Sequence, residues 1–212
     1  MREKAPDARR IGLGRSCPEL RGFSIAPVAQ LDRVSASEAE GWWFEPTRAR
    51  VFSIGDNVVD DSAFMRKALE LARTAAERGD VPVGAVLVND GEIAAVGFNQ
   101  KEANHDPTAH AEMVAIRQAA ARLGGWRLAN ATLYVTKEPC VMCAGACVAA
   151  RIRRLVYACA DSKGGGAGSV FDLTNSDMMN HRLVVEKGLL EVEAASMLRT
   201  FFKDRREKNV EF

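Results

Sequence analysis

Two short stretches constrain this 212-residue chain more than any other feature: His110-Ala111-Glu112 and Pro139-Cys140-Val141-Met142-Cys143. A neutral imidazole and two thiolates are good zinc ligands, and three protein ligands leave one tetrahedral position open, as catalytic rather than structural sites do. If both stretches serve one ion, the fold must bring them together in a particular way. Residues two apart on an ideal helix point about 200° apart, so His110 and Glu112 share a centre only from a helix's first turn, with that end aimed at the metal. Asp106-Pro107-Thr108 fits such a start, with Thr108 as the cap and Pro107 where a missing N–H does little harm. From Val141 to Arg151 the residues are mostly small and apolar and read as a second, buried helix, whose N-terminus favours thiolate. Taken singly, each stretch is ambiguous. Cys-x-x-Cys also serves as a redox pair or half a structural zinc knuckle, and His-x-Glu occurs by chance in many helices.

In this order, the two stretches match the signature of zinc-dependent nucleobase deaminases, and the flanking residues narrow the resemblance. His105-Asp106-Pro107-Thr108-Ala109-His110-Ala111-Glu112, Thr136-Lys137-Glu138-Pro139-Cys140-Val141-Met142-Cys143-Ala144-Gly145-Ala146, Val81-Pro82-Val83-Gly84-Ala85-Val86-Leu87-Val88 and Met179-Asn180-His181-Arg182 resemble the bacterial tRNA-specific adenosine deaminases, which make inosine at the wobble position. The resemblance covers about Asp60 to Lys208. It implies a cytidine-deaminase-like α/β fold and one Zn2+ per subunit on His110, Cys140 and Cys143. Glu112 would then carry protons for a zinc-activated water and not bind the metal. The implied substrate is adenosine at the first anticodon position of tRNA, arginine tRNA in this family, taken as an anticodon stem-loop by a homodimer. Asn99 is implied to fix the base or its ribose, although an Asn there also suits a turn. His105, Pro107 and Ala109 fall on the loop before the His110 helix, near the substrate. Asp161 and Lys163 belong to a wall beside the pocket, and Phe202, Arg205 and Arg206 to a last helix that meets RNA. His181 is implied to be exposed or RNA-facing.

Two rivals stand beside this reading. The same zinc chemistry deaminates free bases or nucleosides such as guanine or cytosine. An RNA-binding protein with a structural zinc is the other, though such proteins typically lose the carboxylate that Glu112 supplies here.

The rest of the chain supports an α/β scaffold. Phe64, Ala68, Leu71, Ala72 and Ala75 recur at helical spacing over Asp60 to Arg78. Val83 to Val88 and Ile93 to Gly97 are strand-like, and Asn89-Asp90-Gly91 is suited to the turn of a hairpin. A polar loop is expected from Phe98-Asn99 to the His110 helix, which stops at Gly124-Gly125. Ala131 to Val135 and Leu155 to Cys159 read as buried strands flanking the cysteine helix, and such a crossover requires parallel pairing. The expected sheet is therefore mixed, of about five strands, with helices on both faces. Residues 161 to 169 are glycine-rich but lack the spacing and following helix of a phosphate loop. A short strand over Leu183 to Glu186 and a helix over Leu190 to Arg206 close the chain. The basic residues Lys203, Arg205, Arg206 and Lys208 fit a solvated helix end or, beside Phe201 and Phe202, single-stranded RNA.

A formal charge of +1 gives no global field toward a polyanion, so nucleic-acid contact must rest on local patches. Cys17, Cys147 and Cys159 show no disulfide framework, which fits a reducing compartment. Neither a secretory leader nor an apolar run of roughly 20 residues is visible, so a cytoplasmic protein without membrane contact is expected.

Residues 1–55 are rich in Arg, Gly, Pro and Ser, without sustained periodicity, and are expected to be a disordered extension ahead of a deaminase domain at 56–212. A plain tail or a basic RNA-binding arm would account for them. A better account is that Val28-Ala29-Gln30-Leu31-Asp32 and Trp43-Phe44-Glu45-Pro46 are the D-arm and T-arm of an upstream tRNA gene read as protein. The natural start then falls near Val51 to Val59, whereas a start at Met65 would remove the first helix's N-terminal turn. The intact mass of the protein from its native host is expected to fall short of 212 residues, and a full-length mass excludes the idea.

Overall fold

The computed structural model describes residues 60–208; the extension expected at 1–55 lies outside them. The elements run α1 (Asp61–Glu77), β1 (Gly84–Asn89), β2 (Glu92–Phe98), α2 (Lys101–Asn104), α3 (Ala111–Leu123), β3 (Ala131–Lys137), α4 (Val141–Ala149), β4 (Arg154–Cys159), β5 (Val184–Lys187) and α5 (Glu191–Lys208). Asp60 caps α1 through the Ala63 N–H at 3.0 Å, and Asp90 and Gly91 turn the β1–β2 hairpin with φ of 52° and 86°.

The five strands form one sheet in the order β2-β1-β3-β4-β5. Pairing is antiparallel for β1 with β2 and β3, and parallel along β3-β4-β5. Such a mixed sheet is what the crossover through α4 demands. Alternate residues of the central strands point to opposite faces, and both faces are buried. Ala85, Leu87, Leu133, Val135, Leu155 and Tyr157 pack with Ala111, Ala115, Ala119, Cys147 and Val148 of α3 and α4. Val86, Val88, Tyr134, Val156 and Ala158 pack with Met65, Ala68 and Leu69 of α1 and Ala194 of α5. Placing α3 and α4 on one face sets their N-termini side by side near the carboxyl end of β3.

Gly97 brings α3 in close. A Cβ on that residue would lie 2.2 Å from the Ala111 carbonyl oxygen and 2.9 Å from the Ala115 nitrogen, so the helix backbone rests directly on β2. The residue before Ala111 is His110, so this contact also fixes the height of that imidazole above the sheet.

One departure from the sequence pattern is α2, four residues in the segment expected to be polar loop. It forms because Asp80, fully buried, reaches back from the α1–β1 connection. Its Oδ1 accepts from Glu102 N at 2.9 Å and its Oδ2 from Ala103 N at 3.1 Å. A carboxylate at a helix N-terminus satisfies N–H groups that have no partner within the helix.

On the α1–α5 face, Arg154 joins three elements. Its Nη2 donates to Asp61 of α1 at 2.6 Å and to Glu186 of β5 at 2.7 Å, and Tyr134 donates its hydroxyl to Asp61 at 2.5 Å. The Arg154 hydrogen bonds hold both carboxyls below their usual 3.8 and 4.5. Groups with depressed folded pKa contribute stability that is present above the unfolded value and lost as pH falls through the folded one. Arg154→Ala is therefore expected to cost about 1–3 kcal/mol at pH 7 and to flatten the loss of stability below about pH 4. Urea midpoints measured from pH 7 to 2 check this, and parallel curves for the two proteins would refute it.

Candidate metal centre

Both halves of the site sit at helix starts. His110 is the N-cap of α3 and Cys140 the N-cap of α4, each in extended conformation, with Cys143 in the first turn of α4. His110 Nδ1 lies 3.6 Å from Cys140 Sγ and 3.6 Å from Cys143 Sγ, and the three ligand atoms are all within 4.8 Å of one another. Zinc bonds of about 2.05 Å to nitrogen and 2.3 Å to sulfur, opened to a tetrahedral angle, put nitrogen and sulfur about 3.6 Å apart. These donors fit that ion.

The helix start differs from expectation at its cap. Thr108 does not cap α3; its N–H and its hydroxyl both donate to Asp106 Oδ1 at 2.7 Å. Asp106 therefore folds residues 106–109 into a turn of its own, and α3 begins three residues after Thr108 with no side-chain cap. The imidazole of the N-cap residue is turned to the two sulfurs instead.

Protons and charge in the centre are set by burial and by the short contacts. A hydrogen bond from Cys143, and then one from His110, draws the Cys140 thiol down to about 3. The same contact pushes Cys143 up, while contact with Cys140 raises His110. Burial raises Cys147, one turn further along α4, and also Glu112. A metal ion binds only deprotonated ligands, so a cation here competes with the shared protons.

Beside the three donors opens a pocket of about 250 Å³, below the roughly 300–1,000 Å³ of drug-sized sites and suited to one planar base. Glu112, 4 % exposed, lies in its wall with Asn99, Lys101, Lys137, Glu138 and Phe202. Asn99 is buried, and its Oδ1 has no hydrogen-bond partner among the described residues. Glu138 accepts N–H groups from Asp161, Ala167 and Ser169. Burial pushes its carboxyl up, but the hydrogen bonds from Ser169, Asp161 and Ala167 outweigh that and hold it below the usual range.

Of the sequence-nominated substrate residues, Asn99 and Phe202 reach this pocket. Asp161 meets its edge through an ion pair with the pocket residue Lys137. Ala109 is buried, its carbonyl accepting from Gln100 N at 2.9 Å. His105 and Pro107 are exposed on the loop before α3, and Lys163 is exposed on the glycine-rich loop. Arg205 donates to the Gly79 carbonyl at 3.1 Å and lies over the Phe201 ring, in the groove between α1 and α5. Arg206 is exposed one residue on. His181 is not free: its Nε2 lies 2.8 Å from the Ile152 carbonyl oxygen, and the ring is half-buried. Sequence reasoning gave Lys101, Lys137 and Glu138 no role. For the last two the signal was present, since Lys137 ends β3 and Glu138 links it to Pro139-Cys140.

A family model described as MafB19-like deaminase matches residues 59–206. The tRNA-specific adenosine deaminase of Bacillus subtilis (strain 168) is 45% identical over 151 residues, 71% of this chain and 94% of its own. That of Haemophilus influenzae is 49% identical over 149 residues, 70% and 86% of the two chains. A solved structure from "Biochemical and Structural Studies of A-to-I Editing by tRNA:A34 Deaminases at the Wobble Position of Transfer RNA" superposes with a TM-score of 0.63. It is 47% identical and covers 65% of this chain and 99% of that one. The guanine deaminase from Nitrosomonas europaea superposes with a TM-score of 0.57 at 27% identity, covering 68% and 85%.

His110→Ala and Cys143→Ala are each expected to reduce bound zinc from about one ion per chain to a small fraction of that. Metal analysis after dialysis reads this directly, and full zinc in either variant would refute the ligand set.

Proposed function

The chain belongs to the MafB19-like deaminases and, among them, to the bacterial tRNA-specific adenosine deaminases; from that premise we propose that it converts adenosine to inosine at the first anticodon position of tRNA. The observation that carries the reading is one arrangement: a buried carboxylate, Glu112, in the wall of a small pocket that is also lined by His110 and Cys140, two of the three clustered donors His110, Cys140 and Cys143. Water adds at C6 of the purine and ammonia leaves, with no oxidant or second substrate.

His110, Cys140 and Cys143 would hold a zinc ion, which when bound would supply the Lewis acidity that makes water a nucleophile at neutral pH. Glu112 would take one proton from the attacking water and pass it to ring N1, then take the second from the hydroxyl formed at C6 and give it to the amino group as it leaves as ammonia. Its placement two residues after the ligand His110, at the start of α3, keeps it beside the centre without making it a ligand. Asn99 offers its unpaired Oδ1 to an N–H of the base or a hydroxyl of the ribose. Leaving such an atom buried and unpaired costs about 1–3 kcal/mol, which a correctly placed donor removes. A base enters so small a pocket only when swung out of its stack, which an anticodon loop permits more readily than a duplex.

Arginine tRNA is the substrate that the family relationship favours, acted on in the cytoplasm by a homodimer of the domain at 56–212. Phe202 at the pocket mouth supports stacking of a neighbouring base, with Arg205 and Arg206 nearby in sequence. The alternative reading, a free-base deaminase, has its support in the guanine deaminase that shares the fold. Zinc-loaded protein is expected to form inosine in an arginine anticodon stem-loop and to release no ammonia from guanine, cytosine or free adenosine. Glu112→Gln should lower turnover by about 10²–10⁴-fold with zinc retained. Ammonia from free bases alone would overturn the tRNA reading, and loss of zinc from Glu112→Gln would overturn the role of that carboxylate.

A further inference from the structure

Glu138 stands one residue from Pro139 and two from the ligand Cys140, yet its carboxylate does not serve the metal centre. It is 2 % exposed, and all its acceptor contacts go to the glycine-rich loop. Oε2 accepts from Asp161 N at 2.9 Å; Oε1 accepts from Ala167 N at 3.1 Å and Ser169 N at 3.0 Å. The loop closes around it so tightly that a Cβ on Gly165 would fall 2.4–2.5 Å from the three carboxyl atoms. Gly166 N donates to the Pro139 carbonyl at 2.8 Å, and Gly165 forms a bridge with Cys140. The preceding residue, Lys137, pairs with the Asp161 carboxylate, which also accepts from Lys163 N at 3.0 Å. Residues 161–169 thus contain no regular element of their own and are folded about a side chain from another strand end.

We propose that Glu138 is a positioning residue for RNA binding: its carboxylate holds residues 161–169 against the metal-ligand strand end and so sets Asp161 at the pocket rim. The inference rests on the tRNA-deaminase reading given above.

The three donors make the claim specific. A carboxylate presents acceptors on both oxygens, whereas a glutamine in the same place presents one oxygen and an NH2 group. The arrangement that keeps most bonds puts the amide oxygen at the Oε1 position, where it still serves Ala167 and Ser169. The NH2 group then faces the Asp161 N–H, donor against donor, and that end of the loop detaches. Glu138→Gln is therefore a release of Asp161 and not a general loosening.

The test compares wild type, Glu138→Gln, Asp161→Asn and the double variant on an anticodon stem-loop, with hydrogen exchange read in parallel. Glu138→Gln is expected to raise KM about tenfold and to lower kcat by less than about threefold. Asp161 amide exchange should accelerate at least about tenfold, with the Ala167 and Ser169 amides still protected. Asp161→Asn should raise KM in the wild-type background and add little in the Glu138→Gln background, because the two changes remove one interaction. Additive effects, a fall in kcat with KM unchanged, or loss of zinc would each overturn the proposal. Where Glu138→Gln does not fold, Gly165→Ala presses on the same carboxylate from the loop side, and an unchanged KM in that variant overturns it. A wild-type protein inactive on the stem-loop sinks the tRNA reading instead; the exchange pattern alone then decides whether Glu138 anchors Asp161.

Discussion

An imidazole nitrogen held 3.6 Å from each of two sulfurs is the constraint that the rest of the structure serves. Three groups that bind protons and metals in competition are costly neighbours, because each must give up its proton or share one before a cation can enter. The fold meets that cost with direction. Two helices begin at the same place, and the partial positive charge of their first turns favours thiolate on Cys140 and Cys143. The parallel β3-α4-β4 unit and the packing of α3 on the same sheet face bring those starts together, and the direct seating of α3 at Gly97 sets their spacing. Moving either helix by one residue would carry a ligand about 100° around its axis and dissolve the site.

Much of this was legible in the sequence because it depends on local rules. The spacing of two between His110 and Glu112 requires a placement at the helix start, and they lie there, His110 as the N-cap and Glu112 in the first turn. The apolar stripe of α1, the hairpin turn at Asp90-Gly91 and the crossover through α4 follow from period and turn chemistry alone. What could not be read depends on side chains that act across the chain. The four residues of α2 carry no periodic signal; they become helical because Asp80, 22 positions from Glu102, supplies the cap. At Thr108 two local options competed, helix cap or Asx turn, and Asp106 two residues earlier took the hydroxyl and the N–H together. Glu138 looks like an ordinary polar residue before a Pro-Cys pair, and its three hydrogen bonds span 23 to 31 positions.

Asp80 and Glu138 solve the same problem for two different segments near the pocket. A wall around a single base needs irregular backbone, since neither a helix nor a strand curves so tightly, and irregular backbone leaves N–H groups unpaired. Each buried carboxylate gathers N–H groups that secondary structure would otherwise have satisfied. Asp80 does so for the segment carrying Lys101, and Glu138 for the loop carrying Asp161 and Lys163. A hydrogen bond to a charged acceptor is roughly twice as strong as a neutral one, so a few of them suffice to hold a loop that reaches the apolar core through Ala167.

The division between centre and wall also bears on what chooses the substrate. A guanine deaminase shares this fold at 27% identity, and so do relatives named for tRNA adenosine at 42 to 49%. Hydrolytic removal of an amino group makes the same demand on the centre in either case: a Lewis acid, a water and a carboxylate to move protons. Discrimination between a free purine and one carried on a polynucleotide must then come from groups that meet the ribose, the phosphates and the flanking bases. A formal charge of +1 over the whole chain leaves little long-range attraction for an anionic strand, so those contacts have to be made one group at a time at the pocket's edge. The unpaired Oδ1 of Asn99, the ring of Phe202 and the Lys137–Asp161 pair are the groups placed there, and two of these residues, Lys137 and Asp161, lie next to Glu138 in sequence or in space. In the proposed reaction, substrate choice then rests on these rim groups, the loop anchored by Glu138 among them, more than on the three donors at the centre.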